Sequence, residues 1–481
     1  MRRRSDAEMV VVELTDADDV PTSPSAPSAA DASGPGGGTP SAVPGTSDRA
    51  RRRGRHGGRR TGVLALAAAL AVGAVVGANV VEQRAEAARR AALVDLPGVV
   101  APLPSAPVEL WRATGWSEAD VVGDALLVQG DDGGAELRDV GTGAVRAAVG
   151  GDGRTCTVVA ASAIPSVEPS SLVSCRTQQP DASGGYAVNL VDADGAALAS
   201  VVLPGEVLLE QQVDDDVVHV VRTADGSVQV RRTDPVTGDE RWVHRSSMRA
   251  GDDAWAVVAV DRVLVMGADS ARSAVALDDG AEVARTDGDG VVVLDVLPDG
   301  RRLEAVLALR TRMRVSSPDG EVLFEEEGGP ATYSLDPAAR EVVLRDLTGP
   351  GLRVHDLASG DVVWTIEDDD VWPVLHLADA LVVRADDELQ GWDPRTGQRL
   401  WTRELLPSPW SVLGPESVLT DGARVLVPEL TVEGARLVAV DLASGEDSWR
   451  VPLPEAADRV VAARGRVLVL GGGDVVVLGA P

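Results

Sequence analysis

In 481 residues the chain has no lysine, one phenylalanine, two tyrosines and two cysteines. Without lysine there is no ε-amino group for Schiff-base or amine-nucleophile chemistry. The four histidines after residue 100 (His219, His244, His355 and His376) stand in no HExxH or comparable metal spacing. No G-x-S-x-G elbow, phosphate loop or Cys–His pair occurs either, so nucleophilic hydrolysis and phosphoryl transfer have no support in the residues. The formal net charge is −30, and because residues 1–60 carry ten Arg against eight acids, the remaining 421 residues hold −32. A field of that sign disfavours nucleic acid and anionic membrane surfaces as partners of the folded part, while serving solubility on its own account.

What is abundant is Arg, Ala, Val, Gly and Asp, a bias that points to a GC-rich bacterial genome. Residues 1–60 read as a disordered cytoplasmic tail. Pro21 to Ser47 is nearly all Pro, Ser, Gly, Ala and Thr, which cannot bury enough apolar surface to offset the ordering of the backbone. The short apolar run Met9 to Val12 reads either as a docking motif or as part of a tail without a partner. Seven Arg crowd residues 49–60, and sixteen apolar or Gly positions follow from Val63 to Ala78. Nineteen residues to Val81, at about 1.5 Å rise each, nearly cover a hydrocarbon core of about 30 Å. Residues 61–81 are therefore expected to form a single transmembrane helix, and the preceding Arg cluster holds the N-terminus inside. The competing reading is a cleaved signal peptide, for which a sixty-residue leader is long. Residues 82–106 read as a juxtamembrane helix and a Pro-rich spacer, with Pro97, Pro102, Pro104 and Pro107 ending the helix.

From residue 107 to 481 one phrase recurs: DPVTGDERW from Asp234, DLASGDVVW from Asp356, DPRTGQRLW from Asp393 and DLASGEDSW from Asp441. Asp accepts hydrogen bonds from the turn's N–H groups and Gly supplies positive φ, while four residues later an indole lands on the next strand. With the looser copies at Gly143, Gly195, Gly280 and Gly320 there are eight turns, spaced 37 to 52 residues apart. That is the length of a four-stranded propeller blade. The expectation is an all-β, eight-bladed β-propeller, with seven blades as the alternative. Residues 458–480 supply three further strands, and Val108 to Ala113 resembles a lone fourth that pairs with them to close the ring.

The D-x-x-[ST]-G-x-x-x-W phrase resembles the repeat of PQQ-like (quinoprotein dehydrogenase-like) β-propellers over roughly residues 108–480. The resemblance implies that Trp242, Trp364, Trp401 and Trp449 dock against neighbouring blades behind turns closed by Gly238, Gly360, Gly397 and Gly445, as structural residues. It also implies a non-catalytic envelope protein, since the enzymatic branch carries a vicinal disulfide over the quinone and an acidic calcium site. Here Cys156 and Cys175 lie nineteen residues apart.

On neighbouring strands facing an oxidising side, those two cysteines are expected to form a disulfide, with two buried thiols as the alternative. The acidic runs Asp214 to Asp216 and Asp368 to Asp370, and the pairs Asp192/Asp194 and Asp287/Asp289, complete no calcium loop and read as solvated loops. Trp255, Trp372 and Trp410 fall outside the repeat slot and read as core residues, or else as the lining of a binding face. No catalytic, cofactor-binding or metal residue is expected. The functional expectation is a plasma-membrane, single-pass, extracytoplasmic propeller that serves protein interaction or envelope assembly, partnered by another envelope protein and by no nucleic acid. The alternatives are a ligand-sensing ectodomain and a PQQ-dependent oxidoreductase.

Overall fold

Short alternating runs closed by tight turns can only stack into hairpins, and the computed structural model arranges them as nine four-stranded antiparallel sheets. The described residues are Arg84 and 87–481, less residues 161–169, 178–184, 406–417 and shorter gaps. Eight blades follow in chain order and start at Glu118, Arg154, Gly205, Trp255, Gly290, Gly329, Val371 and Leu419. The ninth is composite. Its first three strands are Arg459–Ala463, Arg466–Gly471 and Asp474–Gly479, and its fourth is Val108–Thr114, which pairs antiparallel with the third.

The expected eight blades are thus corrected to nine. The reason is that a turn glycine marks the hairpin between a blade's third and fourth strands. In the closing blade the third strand ends the chain and the fourth begins the ring, so no such hairpin exists to be counted.

The repeat turns are built alike. Asp234 Oδ1 accepts from the N–H groups of Val236 and Thr237 at 2.8 and 3.0 Å, Gly238 has φ 76°, and its N–H returns to Asp234 O at 2.9 Å. Asp356, Asp393 and Asp441 repeat the pattern. Those backbone donors hold the Asp234 and Asp356 carboxyls below the usual carboxylate range.

Apolar side chains fill the spaces between blades. Leu126 and Val128 of blade 1 pack with Leu468 and Val475 of blade 9, Val218 and Val230 of blade 3 with Val263 and Val275 of blade 4, and Val425 and Val440 of blade 8 with Leu377 and Val382 of blade 7. The first strands of successive blades approach one another, as Gly205–Val213 does Trp255–Val258. First strands therefore line the axis and fourth strands form the rim. In a four-stranded meander the first and third hairpins lie at one face, the turn face. The middle hairpins and the links between blades lie at the other, the connection face.

Helical residues 87–93 precede the ring. Among the described residues no helix is long and apolar enough to cross a membrane, and the expected tail 1–60 and span 61–81 lie outside the described residues.

Candidate functional site

Each slot tryptophan couples its blade to the next. Trp242 Nε1 donates to Leu277 O at 2.9 Å, Trp364 to Pro394 O at 2.8 Å, and Trp401 to Leu442 O at 2.8 Å. Trp111, on the strand that closes the ring, donates to Val140 O at 2.8 Å. Every acceptor sits three residues before the turn glycine of the following blade. The indole then lies flat on that glycine: a Cβ added at Gly280, Gly397 or Gly445 would stand 2.5–2.7 Å from Trp242, Trp364 or Trp401. The chain's single phenylalanine, Phe324, fills the same slot against Gly360 at 2.5 Å. Gly238 meets the small Ala199 at 3.4 Å and Ser200 O at 3.9 Å.

Trp449 breaks the pattern, because the blade after it is the composite one. Its Nε1 donates instead to Leu103 O at 2.7 Å. The segment read as a spacer is here a strap laid on the turn face. Val100 N–H donates to Thr420 O and Ala101 N–H to Gly465 O, both at 2.8 Å, while Thr420 N–H returns to Gly98 O at 3.0 Å. Leu103 N–H reaches Asp421 Oδ2 at 3.0 Å. Leu93 and Val99 are buried between blades 7 and 8, and Val100 and Leu103 between blades 8 and 9. Arg89 pairs with the buried Asp336 of blade 6 and with Asp379 of blade 7, at 2.9 Å to the latter.

Beside that anchor His376 is buried, and neither ring nitrogen has a hydrogen-bond partner among the described residues. Burial pushes its pKa down to about 4, against the opposing pull of Asp336. The native state thus holds a neutral imidazole, whereas the unfolded chain protonates near 6.5. Stability is full above pH 6.5 and falls as the pH drops toward 4, by roughly 3 kcal/mol across the window at 1.36 kcal/mol per unit. Urea melts at pH 7.0 and 5.0 are expected to show about 2 kcal/mol of that loss in the native chain and a smaller one in His376→Leu. Equal losses in both would dismiss His376 as the source.

The connection face differs in character. Trp255 opens the first strand of blade 4 and Trp372 lies in the first strand of blade 7, so both edge the axial channel, at 48 % and 53 % exposure. Their reading as core residues is corrected. Each stands at a strand's entry, where no neighbouring sheet covers it. The Arg345 guanidinium stacks 3.4 Å over the Trp372 ring, and the exposed Asp368 and Asp370 precede it in the chain. Trp410 lies outside the described residues.

Other candidates sort by burial. Cys156 and Cys175 stand opposite each other on adjacent strands of blade 2 and are bonded, S–S 2.10 Å, in the interface with blade 1. Glu210, His219 and Thr233 form a polar chain, with His219 Nδ1 3.2 Å from Glu210 Oε1 and Nε2 3.1 Å from Thr233 Oγ1. Burial raises the Glu210 pKa, and the His219 contact together with Ser174 and Arg176 more than offsets it, leaving the carboxyl below its ordinary value. Resemblance to a catalytic relay ends at access, since His219 and Thr233 have no exposed surface. Asp216 is held by Arg232 and Arg241, Asp214 by Arg232, and Asp192 by its own turn. His244 and His355 are strand residues, and Asp287 and Asp289 lie outside the described residues.

With this geometry in view, a family profile described as outer membrane protein assembly factor BamB matches residues 288–480, a stretch that holds the turns at Gly320, Gly360, Gly397 and Gly445 and the indole junctions of Trp364 and Trp401. The resemblance to PQQ-like β-propeller repeats is thus supported over residues 288–480. Similar solved structures include BamB from Moraxella catarrhalis, with 15 % identity over 78 % of this chain and 99 % of that one, TM-score 0.41. Quinohemoprotein alcohol dehydrogenase from Comamonas testosteroni shares 13 % over 78 % and 77 %, TM-score 0.38. Sqt1 from Saccharomyces cerevisiae shares 12 % over 78 % and 100 %, TM-score 0.40. No curated protein matches the chain.

For a PQQ-like propeller the quinone and its calcium are the implied groups, and the residues present do not fit them. The disulfide spans two strands inside a blade interface and caps no cavity at the axis. Among the described residues no three His, Cys, Asp or Glu side chains converge on a metal position.

Proposed function

We propose that this PQQ-like propeller is a membrane-anchored, extracytoplasmic protein-interaction module of the cell envelope that performs no catalysis itself. The observation that carries the reading is the pair of half-exposed indoles, Trp255 and Trp372, at the mouth of a rigid ring. A large aromatic left in water costs apolar hydration unless a partner covers it, and Trp and Arg, stacked here at Trp372, are both enriched at interface hot spots. The profile match to an assembly factor of the outer membrane supports the same class. Single-pass anchoring through residues 61–81 rests on the hydropathy and the Arg cluster alone.

Replacing Trp372 by Ser in the full-length chain is expected to shift the unfolding temperature by no more than about 2 °C, since half the side chain is already solvated. Co-isolation of the membrane partner that cross-links to the native chain is expected to fall about tenfold. Undiminished co-isolation, or no reproducible partner, would overturn the reading.

One observation favours a second reading, a ligand-sensing ectodomain: residues 89–103 are gripped by blades 6 to 9, so strain in the ring reaches the chain that precedes it. Deleting residues 1–48 separates the two, since signalling requires that tail and assembly does not.

A further inference from the structure

The outer strand of every sequential blade begins two residues after its turn glycine, and the first two residues of that strand form a comparable slot around the rim. On blade 3 the slot holds Glu240 and Arg241, and on blade 8 Asp447 and Ser448. Between them its polarity reverses. Blade 4 has Val283 and blade 7 has Leu400, each beside a charged residue, while blade 5 carries Val322 and Leu323 and blade 6 carries Val362 and Val363. These last four are 39–46 % exposed. An apolar band centred on two adjacent blades, tapering to charge on both sides, is the pattern of a contact surface and differs from the scattered apolar residues of an ordinary exterior.

Two further features define what fits it. The outer strands Val322–Glu327 and Val362–Ile366 each pair with one neighbour only, so one edge of each presents unpaired backbone groups. Acids bracket the band at both ends: Asp319, Glu321 and Asp361 at the turn face, Glu367, Asp368 and Asp370 at the connection face, all exposed. None of these six joins an ion pair among the described residues, whereas the neighbouring Glu325 and Glu326 are neutralised by Arg312, Arg314 and Arg353.

We infer that blade 6 receives a fifth strand from a partner protein: an extended segment that pairs with the free edge of Val362–Ile366, sets apolar side chains on the rim band and places basic residues against the bracketing carboxylates. Edge pairing supplies affinity through the main chain, and the alternate side chains supply selectivity. The inference rests on the interaction-module reading and names the chemistry of its partner.

The test uses the full-length chain and a fluorescent twelve-residue peptide of alternating Val and Arg, followed by anisotropy. Val362→Thr/Val363→Thr keeps strand propensity and charge while removing the apolar contact, and Val145→Thr makes the same change on blade 1. Saturable binding is expected, about tenfold weaker for the blade 6 variant and unchanged for the blade 1 variant. A peptide methylated at alternate backbone nitrogens, equal in charge but unable to pair along an edge, is expected to bind about tenfold more weakly as well. Equal binding of the methylated peptide, or equal binding by the blade 6 variant, overturns the inference and leaves only the attraction of a basic peptide to an acidic protein. A concentration-dependent dimer that Val362→Thr/Val363→Thr abolishes overturns it too, since a second copy then covers the band. If the peptide fails while co-isolation still depends on Trp372, the interaction-module reading stands and only this surface falls.

Discussion

Removal of residues 1–104 is expected to lower the unfolding temperature by more than 10 °C or to abolish folding, whereas removal of residues 1–83 leaves it unchanged. The difference between the two truncations is the strap. Its loss strips Leu93, Val99, Val100 and Leu103 from the spaces between blades 7, 8 and 9. At about 1.5–3 kcal/mol for each buried aliphatic side chain, that is on the order of 6–12 kcal/mol. It also leaves the buried Trp449 indole N–H without its acceptor, at about 1–3 kcal/mol, and takes the Leu103 N–H from an Asp421 carboxylate that Ala423 and Arg424 still hold. The sum rivals the whole stability of an ordinary domain, about 5–15 kcal/mol. Within the strap, Leu103→Ala empties a buried site and is expected to cost about 2–5 kcal/mol. Leu103→Pro is expected to cost more, because it also deletes the N–H given to Asp421. Circular-dichroism melts of the two truncations decide the matter, and melting within about 3 °C of each other would show the strap to be a passive covering.

The strap matters because a ring cut from a linear chain has a seam. Seven junctions between sequential blades can use the turn of the following blade, one repeat further along the chain. At the junction after blade 8 the chain has run out of turns, and the acceptor that Trp449 requires comes from 346 residues earlier in the sequence. The closing strand Val108–Thr114 lends the composite blade its rim, and Leu103, five residues before it, lends the missing turn carbonyl.

What was legible in the residues follows the same division between near and far. Asp234, Gly238 and Trp242 announce a hairpin because each acts on backbone within nine residues, so a single phrase carries the whole geometry. The indole's partner, Leu277 O, lies one repeat away and is implied by periodicity alone. Blade number was miscounted because turn glycines count hairpins, and the seam has none. Residues 98–103 read as a spacer because Pro102 and Pro104 dominate the local preference, while the contrary signal, the aliphatic Val99, Val100, Ala101 and Leu103 set around those prolines, has meaning only once blades 8 and 9 stand beside them. Trp255 and Trp372 read as core on composition, since an indole's burial depends on whether a neighbouring sheet overlaps its strand's entry. The rim band was readable in principle: aligning the second and third residues after each turn glycine exposes Val322-Leu323 and Val362-Val363 against Glu240-Arg241 and Asp447-Ser448 without coordinates.

The turn glycines serve two demands at once, and a matched pair of substitutions separates them. Gly445 and Gly226 have nearly the same backbone, φ 74° and 79°. A Cβ at Gly226 meets nothing within 4 Å, whereas one at Gly445 meets Trp401 Cγ at 2.7 Å. Gly226→Ala is therefore expected to show the left-handed strain alone, roughly 1–2 kcal/mol. Gly445→Ala adds overpacking, about 1–3 kcal/mol, and displaces an indole whose N–H donates to Leu442 O in a buried site, for about 1–3 kcal/mol more. Its total is expected near 3–8 kcal/mol, among the largest effects of any single methyl in this chain. The decisive measurement is the cycle with Trp401→Ala. Once the indole is gone, the added methyl of Gly445→Ala keeps only its contact with the Cβ of residue 401, at 2.8 Å, so its cost in urea melts is expected to fall most of the way to that of Gly226→Ala. If the cost of Gly445→Ala is the same with and without the Trp401 indole, the glycine is there for its φ alone, and the blades are joined by something other than indole on turn.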